Sequence, residues 1–230
     1  MSRNAIVVAA VFVGWMGSQS VYAQQSIVVN AGYFSPRGVD SRIVDDVLLE
    51  NLNQFAFDLK DFSNGTVGAE WLVGLGNYFE AGVGVGFYRR TVPSVYLDFV
   101  DSDGFEIEQD FRLRVVPLTA TVRVLPFGRF AAVEPYLGVG VGVFNWRYTE
   151  VGDFIDFDNV VFFDEFVADG TDVGGVVFGG IRIPVGDSVS VGGELRYQYA
   201  NGHVGIDQGF LNERIDLSGL STSFTLQVKF

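Results

Sequence analysis

From Leu220 to Phe230 the chain alternates without a break. Leu220, Thr222, Phe224, Leu226, Val228 and Phe230 fall on one side, and Ser221, Ser223, Thr225, Gln227 and Lys229 on the other. A period of two defines a strand with one apolar and one polar face. In a soluble protein so apolar an edge is usually blunted by a charge or a proline. Here the apolar row fits a strand paired on both sides and coated by lipid.

The same rhythm recurs upstream. Expected strands cover 27–34, 66–75, 78–92, about 110–125, 134–149, 171–184 and 188–199. Gly76-Asn77 between the second and third is a strong hairpin signal. Pro117 interrupts the fourth and predicts a bulge or register change there. In the fifth, Leu137, Val139, Val141 and Val143 alternate with glycines until Asn145 and Arg147 break the phase, so that end is expected to rise above the bilayer. Connections two–three, four–five and six–seven read as short, the others as long and acidic. The whole predicts an all-β chain: an eight-stranded antiparallel up-and-down transmembrane β-barrel with turns on one rim and external loops on the other. Closure follows because an open edge would leave unpaired backbone amides in hydrocarbon, at several kcal/mol each. A soluble barrel or sandwich is the competing reading and would turn its apolar faces inward.

Residues 1–23 read as a cleaved secretory signal peptide, with Arg3, the apolar run Ala5 to Met16 and the small-residue site Val21-Tyr22-Ala23. That run is too short for a membrane helix. Residues 24–230 then form one outer-membrane β-barrel domain. The chain has no cysteine, hence no disulfide framework. A net charge of −13 argues against nucleic acid as a partner.

Signal segment, eight alternating strands, and the closing SFTLQVKF together resemble the small bacterial outer-membrane barrels of the OmpA/OmpX/OmpW type. The resemblance implies that Phe224, Leu226, Val228 and Phe230 form the signal read by the barrel-assembly machinery. It also implies outer-membrane lipids and lipopolysaccharide as surroundings, and no peptidoglycan-binding domain after the barrel.

Three functional readings follow. The polar faces carry Glu70, Glu80 and Glu194 against Arg90, Arg123, Arg182, Arg196 and Lys229. An eight-stranded barrel is only wide enough for side chains to fill, so these charges should pair into a plug; an ion-selective pore is the alternative. A structural or surface-interaction barrel acting through acidic external loops is the first reading. The OmpW likeness makes a narrow conduit for small apolar molecules the second. A lipid-modifying enzyme is the third, disfavoured because the single His203 has no serine nearby in sequence. No cofactor or metal is expected: Asp101-Ser102-Asp103-Gly104 resembles the start of a calcium loop, but Arg112 stands where the loop needs Glu. The external segments also hold apolar residues. Ser41 to Phe55 places Val44, Val47, Leu48, Leu52 and Phe55 at helical spacing, predicting an amphipathic helix at the mouth or the lipid interface. Phe154, Phe157, Phe162, Phe163 and Phe166 either pack on a neighbouring loop or line a site for an apolar solute or surface partner.

Overall fold

The computed structural model describes residues 24–156, 158, 160–205, 209, 210 and 212–230. The expected signal segment and Phe157 lie outside the described residues. Eight strands close into a ring: β1 (Gln25–Pro36), β2 (Asn64–Leu75), β3 (Phe79–Val100), β4 (Glu106–Val124), β5 (Glu134–Ile155), β6 (Val161–Pro184), β7 (Val189–Tyr199) and β10 (Gly219–Lys229). Every neighbouring pair is antiparallel, and β10 returns to β1. The closing seam runs from Ser26↔Lys229 to Pro36↔Gly219. Two further strands, β8 (Asn201–His203) and β9 (Arg214–Asp216), form a short hairpin in the connection between β7 and β10.

Alternation decides which face meets which solvent. Along β5, Leu137, Val139 and Val141 are more than 60% exposed on the outer wall, while Tyr136, Phe144, Trp146 and Tyr148 point inward and are buried. Along β4, Leu118 and Val122 point outward opposite the buried Thr119, Thr121 and Arg123. An exposed apolar belt around a polar interior is stable only against hydrocarbon. Above Pro117 the two faces exchange character. Phe111, Leu113 and Val115 turn inward and Arg112 and Arg114 outward, without any slip in pairing between β4 and β5. The exchange marks where lipid ends and external loops begin to cover the mouth.

Two expectations need correction. Pro117 causes no register change: β3–β4 pairing lapses between Val85↔Leu118 and Tyr88↔Val115 and resumes in the same register. A proline has no amide to donate, so the ladder loses bonds there but keeps its phase. The register irregularity lies higher, between Val95 and Val100. The connections three–four and five–six are also not long loops. β3 to β6 continue above the bilayer, so most of Phe154 to Phe166 is strand, because an antiparallel ladder remains favourable in water once it is started.

Candidate functional site

The lower lumen holds a continuous set of opposed charges. Arg123 on β4 contacts Glu70 on β2 and lies 3.7 Å from Glu194 on β7. Arg196 bridges the same carboxylates, at 3.5 Å from Glu70 and 2.9 Å from Glu194. Thr121 donates a hydroxyl to Glu70 at 2.5 Å, and the Tyr136 hydroxyl to Glu194 at 3.0 Å. Nearer the periplasmic rim, Arg182 lies 3.1 Å from Glu80 and 3.4 Å from Glu134, and Lys229 reaches Glu134 at 3.1 Å. Arg182 also donates to Gln227 at 3.0 Å, and Gln227 to Ser26 at 2.7 Å. Aromatic faces complete the packing. The Arg123 guanidinium lies 4.9 Å from the Tyr136 ring centre and 5.0 Å from that of Phe178, and Arg196 lies 4.6 Å from Phe178. Buried charges persist only when paired, and these are.

Of the residues expected to pair in the lumen, Glu70, Glu80, Glu194, Arg123, Arg182, Arg196 and Lys229 meet in this set. Arg90 does not. It sits higher on β3, where its Nε donates to the Asp61 carbonyl at 2.7 Å, because strand parity fixes the face but not the height. Glu134, Arg129, Tyr136 and Gln227 belong to the set without having been singled out. Glu134 and Gln227 were readable from alternation. Arg129 was not: it comes from the turn before β5 and reaches back to 3.5 Å from Glu80, through space vacated by Gly74. The inward glycines make room for specific groups. A Cβ on Gly82 would meet Glu70 Oε1 at 2.6 Å, and one on Gly138 the Phe178 ring at 2.3 Å.

Above the charges lies a void of about 60 Å³, bordered by Asn30, Glu70, Pro117, Arg196 and Gln198. It has room for a few waters. The external half is filled by Phe34, Tyr88, Val92, Phe111, Leu113, Tyr148 and Trp146, on which the connection 37–63 is folded as a cap. The predicted helix there is shorter than expected: α1 spans Val47–Asn51, with Val47 and Leu48 fully buried and Val44 left 78% exposed. Asp45 at φ 65° interrupts any longer helix. The cap lies over the mouth rather than in the lipid. Asp46 ties it down by contacting Arg42 and accepting the Asp216 amide at 3.0 Å. Asn51 donates to Glu150 at 2.6 Å and to Tyr148 at 3.1 Å. Burial pushes the Glu150 carboxyl above the ordinary glutamate range, against the opposing effect of hydrogen bonds from Asn51 and Tyr148.

The external phenylalanines mostly pack on one another. Phe154 is 6% exposed and meets Phe166 at 4.8 Å, and Phe166 meets Phe210 at 6.3 Å across to the next connection. Phe162 packs beside Phe154 at 6.3 Å, whereas Phe163 is 70% exposed. His203 places Nδ1 3.4 Å from Asp172, and among the described residues no serine hydroxyl hydrogen-bonds to it. Phe224, Leu226, Val228 and Phe230 form one exposed outward row on and just beyond β10.

No protein-family model and no curated protein sequence matches the chain. Solved structures do. The outer membrane protein OprG from Pseudomonas aeruginosa superposes with a TM-score of 0.54 at 12% identity, over 90% of this chain and 96% of that one. The fold is that of the small bacterial outer-membrane β-barrels. Neisserial surface protein A, at 15% identity, and outer membrane protein W of E. coli, at 11%, each give a TM-score of 0.46 over 90% of this chain and 97% and 98% of theirs. A strand-built barrel with an apolar outer belt has its place in the outer membrane.

Proposed function

We propose that the chain is a structural or surface-interaction barrel whose lumen is plugged and whose contacts are made by its external rim. The observation that carries this is the filling of the lumen: Arg123 and Arg182 are 1% exposed, Glu80 2% and Glu134 0%. The space left above them, about 60 Å³, supports a filled lumen over a hydrated ion path. The rim supplies the contact surface, with Asp101, Asp103, Glu106 and Glu108 beside the exposed Phe99, Phe105 and Phe163. Residues 1–23 as an export signal and the Phe224–Phe230 row as an assembly signal belong to the same proposal. Purified protein in planar bilayers tests it. The expected result is electrical silence, and stable single-channel openings would overturn it.

A second reading, a conduit for small apolar molecules, has one observation in its favour. The void abuts the wall where β3–β4 pairing lapses beside Gly86 and Pro117. Its lining of Asn30, Glu70, Arg196 and Gln198 suits water better than an apolar solute, so the plugged reading is preferred. A Pro117→Ala variant that leaves uptake of a small apolar probe into protein-containing vesicles unchanged would count against the conduit.

A further inference from the structure

We propose that Arg89, Arg114 and Arg147, with Arg112 beside them, form a docking site on the outer wall for the phosphate groups of an anionic lipid headgroup. This rests on reading the chain as a membrane barrel, but not on the plugged lumen.

The three arginines are direct cross-strand partners. Arg89 on β3 stands opposite Arg114 on β4, and Arg114 opposite Arg147 on β5. Strand parity turns all three outward, away from the lumen, in one row on neighbouring strands about 4.8 Å apart. Like charges directly opposite one another destabilise a sheet. In a chain of net charge −13, with 15 Lys and Arg in all, such a row has no compositional reason to exist. Nor is it neutralised from within. Among the described residues none of the three has a carboxylate oxygen within 4.0 Å, and the side chain of Arg114 finds only Asn145 Oδ1, at 3.4 Å. The Nε of Arg114 is buried with no hydrogen-bond partner. Arg112 is held by Asp110 at 3.1 Å. Glu165 borders the same cleft, and Asp169 stands opposite Arg147 on β6, so the acids lie along one flank and the β3–β4 side is left cationic.

Height above the bilayer selects the ligand. On the outer wall Phe87 stands two residues below Arg89, and Leu118 and Val143 stand four residues below Arg114 and Arg147, with Val116 and Asn145 between; Phe87, Leu118 and Val143 are exposed in the lipid belt. Two to four residues of strand rise about 6–13 Å, so the guanidinium groups sit just above the apolar belt, where the acyl region gives way to headgroups. A soluble acidic partner arriving from outside would first meet the strand extensions above the row, which on β3 and β5 continue to Val100 and Ile155. Arginine forks match phosphate oxygens in pairs, and several converging on one anion are the expected form of such a site.

The test uses the full chain in phosphatidylcholine nanodiscs doped with bis-phosphorylated lipid A, with dephosphorylated lipid A, or with neither. Lipid retained after transfer to detergent is read by native mass spectrometry. Wild type and the control Lys60→Gln, an exposed cation on the cap, should retain the phosphorylated lipid and not the dephosphorylated one. The triple variant Arg89→Gln/Arg114→Gln/Arg147→Gln should lose retention by about tenfold or more. The single Arg114→Gln serves if the triple variant fails to show folded-barrel mobility on a cold gel. Equal retention of both lipids by wild type, or retention unchanged in the variants, overturns the proposal. So does saturable binding of inorganic phosphate that displaces no lipid, which would make it a site for a soluble anion. An acidic peptide displacing the lipid at lower concentration would assign the row to a protein partner instead.

Discussion

Arg123 and Glu70 meet guanidinium to carboxylate near the barrel axis, although their strands β4 and β2 are not paired and β3 lies between them. The contact spans the lumen rather than the wall. It links non-neighbouring strands, and both side chains are almost fully withdrawn from solvent.

Removing one partner is therefore costly. Arg123→Met leaves Glu70 and Glu194 with Arg196 as their remaining cation, and should destabilise the barrel by about 3–5 kcal/mol. Adding Glu70→Gln should recover much of that loss, because the orphaned charge goes with it. Urea unfolding in micelles, followed by tryptophan emission, gives both values. A double variant as weak as the sum of its singles would mean the pair is not coupled.

Glycine content acts by position. Gly138→Val would drive methyl groups into the Phe178 ring and toward the Val122 carbonyl, 2.9 Å from even the first added carbon, and should cost about 1–3 kcal/mol or prevent folding. At Gly193, whose Cβ would meet nothing closer than the Ser223 carbonyl at 3.8 Å, alanine should be neutral or stabilise by up to about 1 kcal/mol. Melting curves of the two variants, recorded side by side, check the contrast.

The cap should loosen as pH rises above the ordinary glutamate range. A buried glutamate whose folded pKa is raised favours the folded state most when protonated. The Glu150 contribution is thus complete below the ordinary glutamate value of about 4.3 and declines as pH rises through its higher folded value. Protection factors of the 47–55 amides, which remove the intrinsic base-catalysed rise in exchange, should fall across that window in the wild type. In Glu150→Gln the dependence should flatten, and a wild-type profile without slope would contradict the assignment.

Cap and barrel should also come apart separately. Leu48, on the cap's own helix, is fully buried on its inner side and lies outside the strand ladder. Leu48→Ala should cost about 2–5 kcal/mol of cap docking, opening residues 37–63 to protease while the barrel's own melting point stays near wild type. A variant that loses both together would show that the cap is part of the barrel's cooperative unit.

Alternation alone determined the wall. The faces of Leu137 to Val143 and of Leu220 to Phe230, the strand order and the ring are consequences of a period-two pattern that only hydrocarbon outside and polar groups inside can satisfy. The change in character of the two faces above Phe144 was legible too, in the loss of phase at Asn145 and Arg147. Tertiary structure decided what parity cannot encode, namely height along the axis, reach across the lumen and the path of connecting segments. Arg90 and Arg123 share a face yet reach different partners. Arg129 enters from a turn, and three outward arginines become one row only once the stagger between strands is fixed. Periodicity is a local property of the backbone, whereas the stagger of a closed barrel is set by all eight strands at once.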